Sequence, residues 1–167
     1  MAIAGTDDHQ SLAIARLVGT TLLVMLLAVM PMPNWAVWLR PEFSALLVVY
    51  AVLSAPFRVG MVFAWSFGLC IDVLESAVLG QNALSLTVLA YLCFLLHTRI
   101  RLFSILEQSA SVFVLVGIHQ LIGNWVQSLN GFEFYDLAFL VPALMSALCW
   151  PLTLSFLERV DLFPATA

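Results

Sequence analysis

The residue best placed to do chemistry in this sequence is Asp72, an acid near the end of a long apolar stretch. A carboxylate in such a position needs a specific partner or contact with water. Glu75 follows one turn later on a neighbouring face, and Arg40 is the candidate counter-ion. The alternative is that Asp72 lies in the headgroup region of a membrane. No second acid within the apolar stretches accompanies Asp72, so an aspartyl protease pair is not predicted.

Asp72 also belongs to a series spaced by four that consists mainly of small residues, namely Gly60, Ala64, Gly68, Asp72 and Ser76. Each step of four turns only about 40° around a helix, so neighbours in the series share one curved stripe. Small residues at this spacing let a second helix approach closely. Packing within the chain is one interpretation. The other is a groove for a partner's membrane helix, in which Asp72 and Arg40 fix the register.

A second polar feature lies within the apolar stretch 108–132, where amides recur on one half of the helical wheel. Lipid cannot hydrogen-bond these amides, so they must face protein, water or a ligand. Hydrogen bonds between helices are one interpretation. The other is a polar cavity that opens to the outside, lined by Gln120, Asn124 and Gln127. His119 is not predicted to bind metal, because no cluster of metal-ligating residues accompanies it.

Motifs typical of enzymes are missing from the sequence. It has no P-loop, no G-x-S-x-G and no H-E-x-x-H. Its three cysteines, Cys70, Cys93 and Cys149, fall inside apolar stretches and form no C-x-x-C pair. We therefore predict no enzymatic activity, no metal and no cofactor.

The composition identifies the kind of fold that must position these residues. Of 167 residues, 63% are hydrophobic and 10% are charged, and the mean hydropathy is +1.05. A soluble domain of this size could not bury so much apolar surface. The net charge is −4, which leaves no basic surface for nucleic acid. The sequence predicts one all-α membrane domain that spans the bilayer several times.

Gaps between charged residues indicate where the membrane spans lie. About 20 apolar residues cross a hydrocarbon core of ~30 Å, which four of the gaps satisfy. Between them, 43–71 is too long for one helix and contains Pro56, so we predict two spans joined by a tight turn. A re-entrant pair is the alternative. The predicted bundle has six helices, at 12–31, 42–56, 59–77, 79–97, 108–129 and 137–157.

The distribution of arginine predicts how the bundle is oriented. Six spans place Arg40 alone on one side, and the other side carries Arg16, Arg58, Arg99, Arg101 and Arg159. Short cytoplasmic loops are enriched in basic residues. Both termini are therefore predicted to be cytoplasmic, and the re-entrant alternative gives the same result.

From Arg40 to Tyr91, the order of these features resembles the MreD family of bacterial rod shape-determining membrane proteins. The resemblance is carried by an ordered set of short motifs rather than by any one of them. They are Arg40-Pro41, Pro56-x-Arg58-Val59-Gly60, Gly68 with Asp72, Leu79-Gly80 and Tyr91. Length and number of spans agree over the whole chain.

This resemblance implies a non-enzymatic scaffold in the bacterial inner membrane that binds MreC and supports cell shape and peptidoglycan synthesis. MreB filaments, RodA and its partner transpeptidase are the further partners that it implies. It also implies a six-helix fold like that of the substrate-binding S components of energy-coupling factor transporters. The alternative function is therefore a solute-binding membrane subunit that uses the cavity at Gln120, Asn124 and Gln127.

Overall fold

The computed structural model describes residues 4–30, 39–56, 60–131 and 140–160, with side chains from Ala15 onward except that of Val29. These residues form six helices and no strand, as the composition predicts. The helices are α1 Ala4–Val29, α2 Phe43–Ser54, α3 Met61–Leu74, α4 Gln81–Ile100, α5 Ile105–Leu129 and α6 Val141–Val160.

The helices differ from the predicted spans mainly in the middle of the chain. Three helices, α4, α5 and α6, are long and apolar enough to cross a membrane. The apolar helices α2 and α3 have 12 and 14 residues, so at 1.5 Å per residue they are about 18 and 21 Å long, short of a full span. In contrast, α1 and α5 begin earlier than predicted, at Ala4 and Ile105.

Helix α2 forms the centre of the bundle. Every residue from Ser44 to Leu53 is buried, and α2 packs against α1, α4, α5 and α6. A helix that is apolar on all sides avoids water either inside a protein core or within lipid, and α2 does so inside the bundle. Consecutive helices from α3 to α6 pack on one another around it. The short α2 is thus shielded by the other helices rather than by lipid.

The stripe of small residues on α3 is used inside the chain. A Cβ atom at Gly68 would lie 2.5 Å from Cα of Ala83 and 2.7 Å from the carbonyl carbon of Asn82. Ala64 is also buried, whereas Gly60 is exposed and has open space around it. The expected groove for a partner helix is therefore not available at Gly68, because the backbone of α4 already occupies that position.

Helix α3 stops at Leu74, three residues before the predicted end of its span, because its backbone forms a Schellman motif. The N–H of Ala77 donates to the carbonyl oxygen of Asp72 at 3.0 Å, and that of Ser76 donates to Val73 at 3.4 Å. This motif places one residue in the left-handed conformation, and Ser76 has φ of 53°. The chain then turns sharply into the α3–α4 connection, residues 75–80.

The contact at Gly68 predicts that Gly68→Ala lowers the free energy of unfolding by about 1–3 kcal/mol, because the new methyl group overlaps the α4 backbone. Gly19→Ala is the matched control, since a Cβ there meets nothing within 4 Å. Denaturant unfolding of both purified variants measures the effect. Equal stability of the two variants would show that α3 and α4 are less closely packed than described.

The Schellman motif predicts that Ser76→Gly stabilises the protein, by about 1 kcal/mol, because glycine adopts a positive φ without a steric penalty. Ser66→Gly, in the middle of α3, should destabilise by a similar amount. Unfolding of the two variants in the same detergent tests this opposite pair of signs. A loss of stability in Ser76→Gly would contradict the assigned backbone conformation.

Candidate functional site

The carboxylate of Asp72 holds the first turn of α4. Its oxygens accept hydrogen bonds from the backbone N–H groups of Gly80 at 2.9 Å, Asn82 at 2.8 Å and Ala83 at 3.4 Å. The first N–H groups of a helix have no partner within the helix, and a negative charge there is favourable. Asp72 is 0% exposed. It therefore acts as the N-terminal cap of α4 from a different helix.

Arg40 is bound elsewhere, which corrects the prediction that it is the counter-ion of Asp72. Its guanidinium donates a hydrogen bond to the carbonyl oxygen of Leu27 in α1. Two residues later, the N–H of Glu42 donates to the hydroxyl oxygen of Ser146 at 2.8 Å. Ser146 is buried in α6. Residues 40–42 thus connect the start of α2 to both α1 and α6.

These segments surround a cavity of about 630 Å³, a volume within the usual range for small-molecule sites. One wall is the segment before and at the start of α2, and another is the α3–α4 connection with the first turn of α4. Side chains of α5 form a third wall. The lining residues are Ala28, Arg40, Pro41, Glu42, Phe43, Ser44, Ile71, Glu75, Ser76, Ala77, Val78, Gln81, Asn82, His119, Gln120, Gly123, Asn124, Gln127 and Pro142.

The three amides that the sequence placed at a polar cavity, Gln120, Asn124 and Gln127, all line this one. The apolar half of α5 faces outward, with Leu121 and Trp125 exposed. The polar half of the helix is therefore turned towards the cavity, while its apolar half is available to lipid.

The sequence did not lead us to assign Gln81 or His119 to the cavity. Gln81 and His119 both line it, and they are only 8% and 4% exposed. The signal for Gln81 was its place among polar residues at the start of α4. Nothing in the sequence showed that this turn faces α5. In the structure, a Cβ atom at Gly123 would lie 3.5 Å from Nε2 of Gln81.

Three buried polar atoms around the cavity have no hydrogen-bond partner among the described residues. They are Oε1 of Gln81, Nδ1 of His119 and Oε1 of Gln120. More than nine in ten buried polar groups in proteins are paired. A group of unpaired atoms at one cavity is therefore unusual, and it marks this wall as a candidate binding surface.

The charged residues of the cavity are Arg40, Glu42 and Glu75. Glu75 lies in the α3–α4 connection, outside both helices. Partial burial, and next the nearby carboxylate of Glu42, raise the pKa of the Glu75 carboxyl, whereas Arg40 and the Asn82 amide lower it. The two carboxylates are thus close enough to repel each other. Among the described lining residues, negative charges outnumber the positive charge of Arg40.

The remaining residues of the motif-like set have mainly structural positions. Gly80 has φ of 95° and precedes α4 as its N-cap, a conformation that favours glycine. Pro56 lies in the turn after α2, and Tyr91 is exposed on α4. Arg58 lies outside the described residues. Within the described part of the chain, no group of three His, Cys, Asp or Glu side chains could hold a metal ion.

Comparison with known proteins gives one consistent result. The family model described as rod shape-determining protein MreD matches residues 10–160. The rod shape-determining protein MreD of Haemophilus influenzae is 25% identical over 138 residues, which cover 83% of this chain and 85% of that relative. No solved structure matches the chain. The matched range contains the whole cavity and the contacts of Asp72.

The cap at α4 predicts that Asp72→Leu lowers the free energy of unfolding by about 2–3 kcal/mol, because buried N–H groups lose a charged acceptor. Asp72→Asn should lose less, since one carbonyl oxygen remains to accept. Glu75→Gln is the control and should change stability little, because the contact of Glu75 with α4 is a side-chain hydrogen bond of 3.4 Å from Nδ2 of Asn82. Denaturant unfolding of the three purified variants measures these differences in the free energy of unfolding. An Asp72→Leu protein as stable as the control would exclude this capping role.

Proposed function

Because the chain belongs to the MreD family of rod shape-determining proteins, we propose that it is a non-enzymatic membrane scaffold that binds MreC in the cell-elongation machinery. The observation that carries this proposal is the family match over residues 10–160, which includes all of α2–α6 and most of α1. The complex with MreC would work with MreB filaments, with RodA and with its partner transpeptidase in peptidoglycan synthesis.

We further propose that the protein lies in the bacterial inner membrane with both termini in the cytoplasm. Three helices suited to crossing a bilayer support a multi-pass membrane protein. The arginine asymmetry supports the orientation, since Arg40 stands alone against five arginines on the other side.

Because α3 packs against α4, the stripe of small residues on α3 no longer serves as the proposed docking site for the membrane helix of MreC. Since α4 covers Gly68, we place that helix in an apolar groove of about 240 Å³ between α1 and α6, with α2 as its floor. The residues of the groove are Thr20, Leu23, Val24, Leu27, Phe43, Leu47, Leu152, Thr153, Phe156 and Leu157.

Two features of this groove suit a helix. Its α1 wall repeats at i, i+3, i+4 and i+7 from Thr20 to Leu27, which is the spacing of one helical face. The hydroxyl groups of Thr20 and Thr153 both donate to carbonyl oxygens of their own helices. No unpaired hydroxyl is therefore left towards the partner, and these short side chains allow close packing.

A second proposed function, a solute-binding membrane subunit, is favoured by one specific observation. The cavity is lined by Gln120, Asn124 and Gln127 and has unpaired polar atoms on its inner wall. The cavity and the α1–α6 groove share only Phe43 among their lining residues, so the two functions are compatible.

The scaffold proposal predicts that the tagged full-length chain co-purifies with MreC from the same organism as a stable complex in detergent. Leu152→Trp, at a groove residue that is 74% exposed, should reduce recovery of MreC about tenfold or more by filling the docking site. Leu121→Trp is the matched control, because this leucine is 50% exposed on the outward face of α5. Recovery is measured by size-exclusion chromatography and quantitative immunoblotting.

The possible results separate the two parts of the proposal. If the unsubstituted chain elutes as a folded protein apart from MreC, the scaffold proposal is wrong. If MreC binds both tryptophan variants equally well, only the placement in the groove is wrong. A loss of binding in Leu121→Trp alone would move the interface to α5.

A further inference from the structure

The inner wall of the cavity combines deep burial with unpaired polar atoms. Gln81 and His119 are each more than nine-tenths buried, yet Oε1 of Gln81 and Nδ1 of His119 have no partner among the described residues. Gln120 is only partly buried, but its Oε1 atom is buried and also has no partner among the described residues. Because buried polar atoms are almost always hydrogen-bonded, three such atoms at one cavity indicate a ligand that pairs with them.

The amide oxygens of Gln81 and Gln120 can only accept hydrogen bonds. Nδ1 of His119 also accepts in the tautomer that carries its proton on Nε2. The cavity therefore favours a ligand that donates several hydrogen bonds.

The charge of the described lining favours a cation. The carboxylates of Glu42 and Glu75 interact repulsively near the cavity, and a positive group between or below them would relieve this repulsion. Arg40 is the cationic side chain of this lining; its charge offsets part of the repulsion at Glu75, and its guanidinium donates to the carbonyl oxygen of Leu27. It lies in the segment before α2, where it suits the anionic part of a zwitterion.

We propose that the cavity binds its ligand through a primary ammonium group, which carries one positive charge and three N–H donors. This inference rests on the second proposed function, that the cavity binds a small molecule, and is independent of MreC. The same ammonium chemistry is offered by the ethanolamine headgroup of a phospholipid and by a free soluble amine.

The test compares two probes that differ in the N–H donors. Glycerophosphoethanolamine has a primary ammonium group, and glycerophosphocholine has the same charge on a trimethylated nitrogen without N–H. The full-length protein is melted in detergent with each probe at the same concentration. We expect the first probe to raise Tm by about 3 °C or more, through binding to the folded state, and the second to raise it by less than about 1 °C.

The lipid source is tested in parallel. The protein is melted in nanodiscs of phosphatidylethanolamine or of phosphatidylcholine, with the same acyl chains and the same fraction of phosphatidylglycerol. A higher Tm with the ethanolamine lipid, without an effect of the soluble probe, identifies a lipid headgroup as the ligand. An effect of the soluble probe identifies a site that a free amine can enter.

A pair of variants locates the effect in the cavity. Gln120→Leu removes an unpaired oxygen that makes no hydrogen bond within the described protein, so this variant should fold and should lose the Tm difference between the two probes. Asn130→Leu is the matched control, since Asn130 is exposed at the end of α5 and does not line the cavity. This control should keep the difference.

Each negative result overturns a defined part of the inference. Equal stabilisation by both probes shows that the cavity binds small molecules but does not select N–H donors, so only the ammonium assignment fails. If neither probe raises Tm above that of the ligand-free protein and the two lipids give the same Tm, the ammonium assignment is wrong and the solute-binding proposal loses this support. A difference that persists in Gln120→Leu places the binding site elsewhere.

Discussion

The carboxylate of Asp72 accepts hydrogen bonds from the first N–H groups of α4, and the cavity depends on this contact. Because the acid lies two residues before the end of α3 at Leu74, the contact fixes where α4 begins relative to α3. The close approach at Gly68 adds steric matching to the electrostatic contact. Together they bring the α3–α4 connection, with Glu75, and the side chain of Gln81 to the edge of the cavity.

A buried α2 makes such a polar cavity possible in so apolar a chain. The core is formed by a short helix that is enclosed by four others, so the surrounding helices do not need to close completely at one end. The hydrogen bond from Glu42 to Ser146 holds the start of α2 against α6. The opposite wall can then carry the amides of α5. The cavity thus depends on α2 being shorter than the helices around it, as well as on the residues that line it.

The residues that resemble the MreD motifs illustrate how one pattern serves two interpretations. Gly68 and Asp72 were candidates for recognition of a partner and Gly80 belonged to the motif, and in the structure each of the three has a role within the chain. Gly68 permits close packing, Gly80 adopts a positive φ, and Asp72 caps α4. For this reason the proposed docking surface for a partner lies outside this motif, in the groove between α1 and α6.

The sequence by itself determined the all-helical membrane fold, the number of helices and the polar face of α5, because these follow from composition and from local periodicity. Only the tertiary structure decided that Asp72 binds backbone N–H groups rather than Arg40, and that Gln81 and His119 meet Gln120 at one cavity. Those contacts join residues up to about forty positions apart, and their geometry depends on how helices pack. A small-residue stripe encodes a close approach but does not specify which helix approaches.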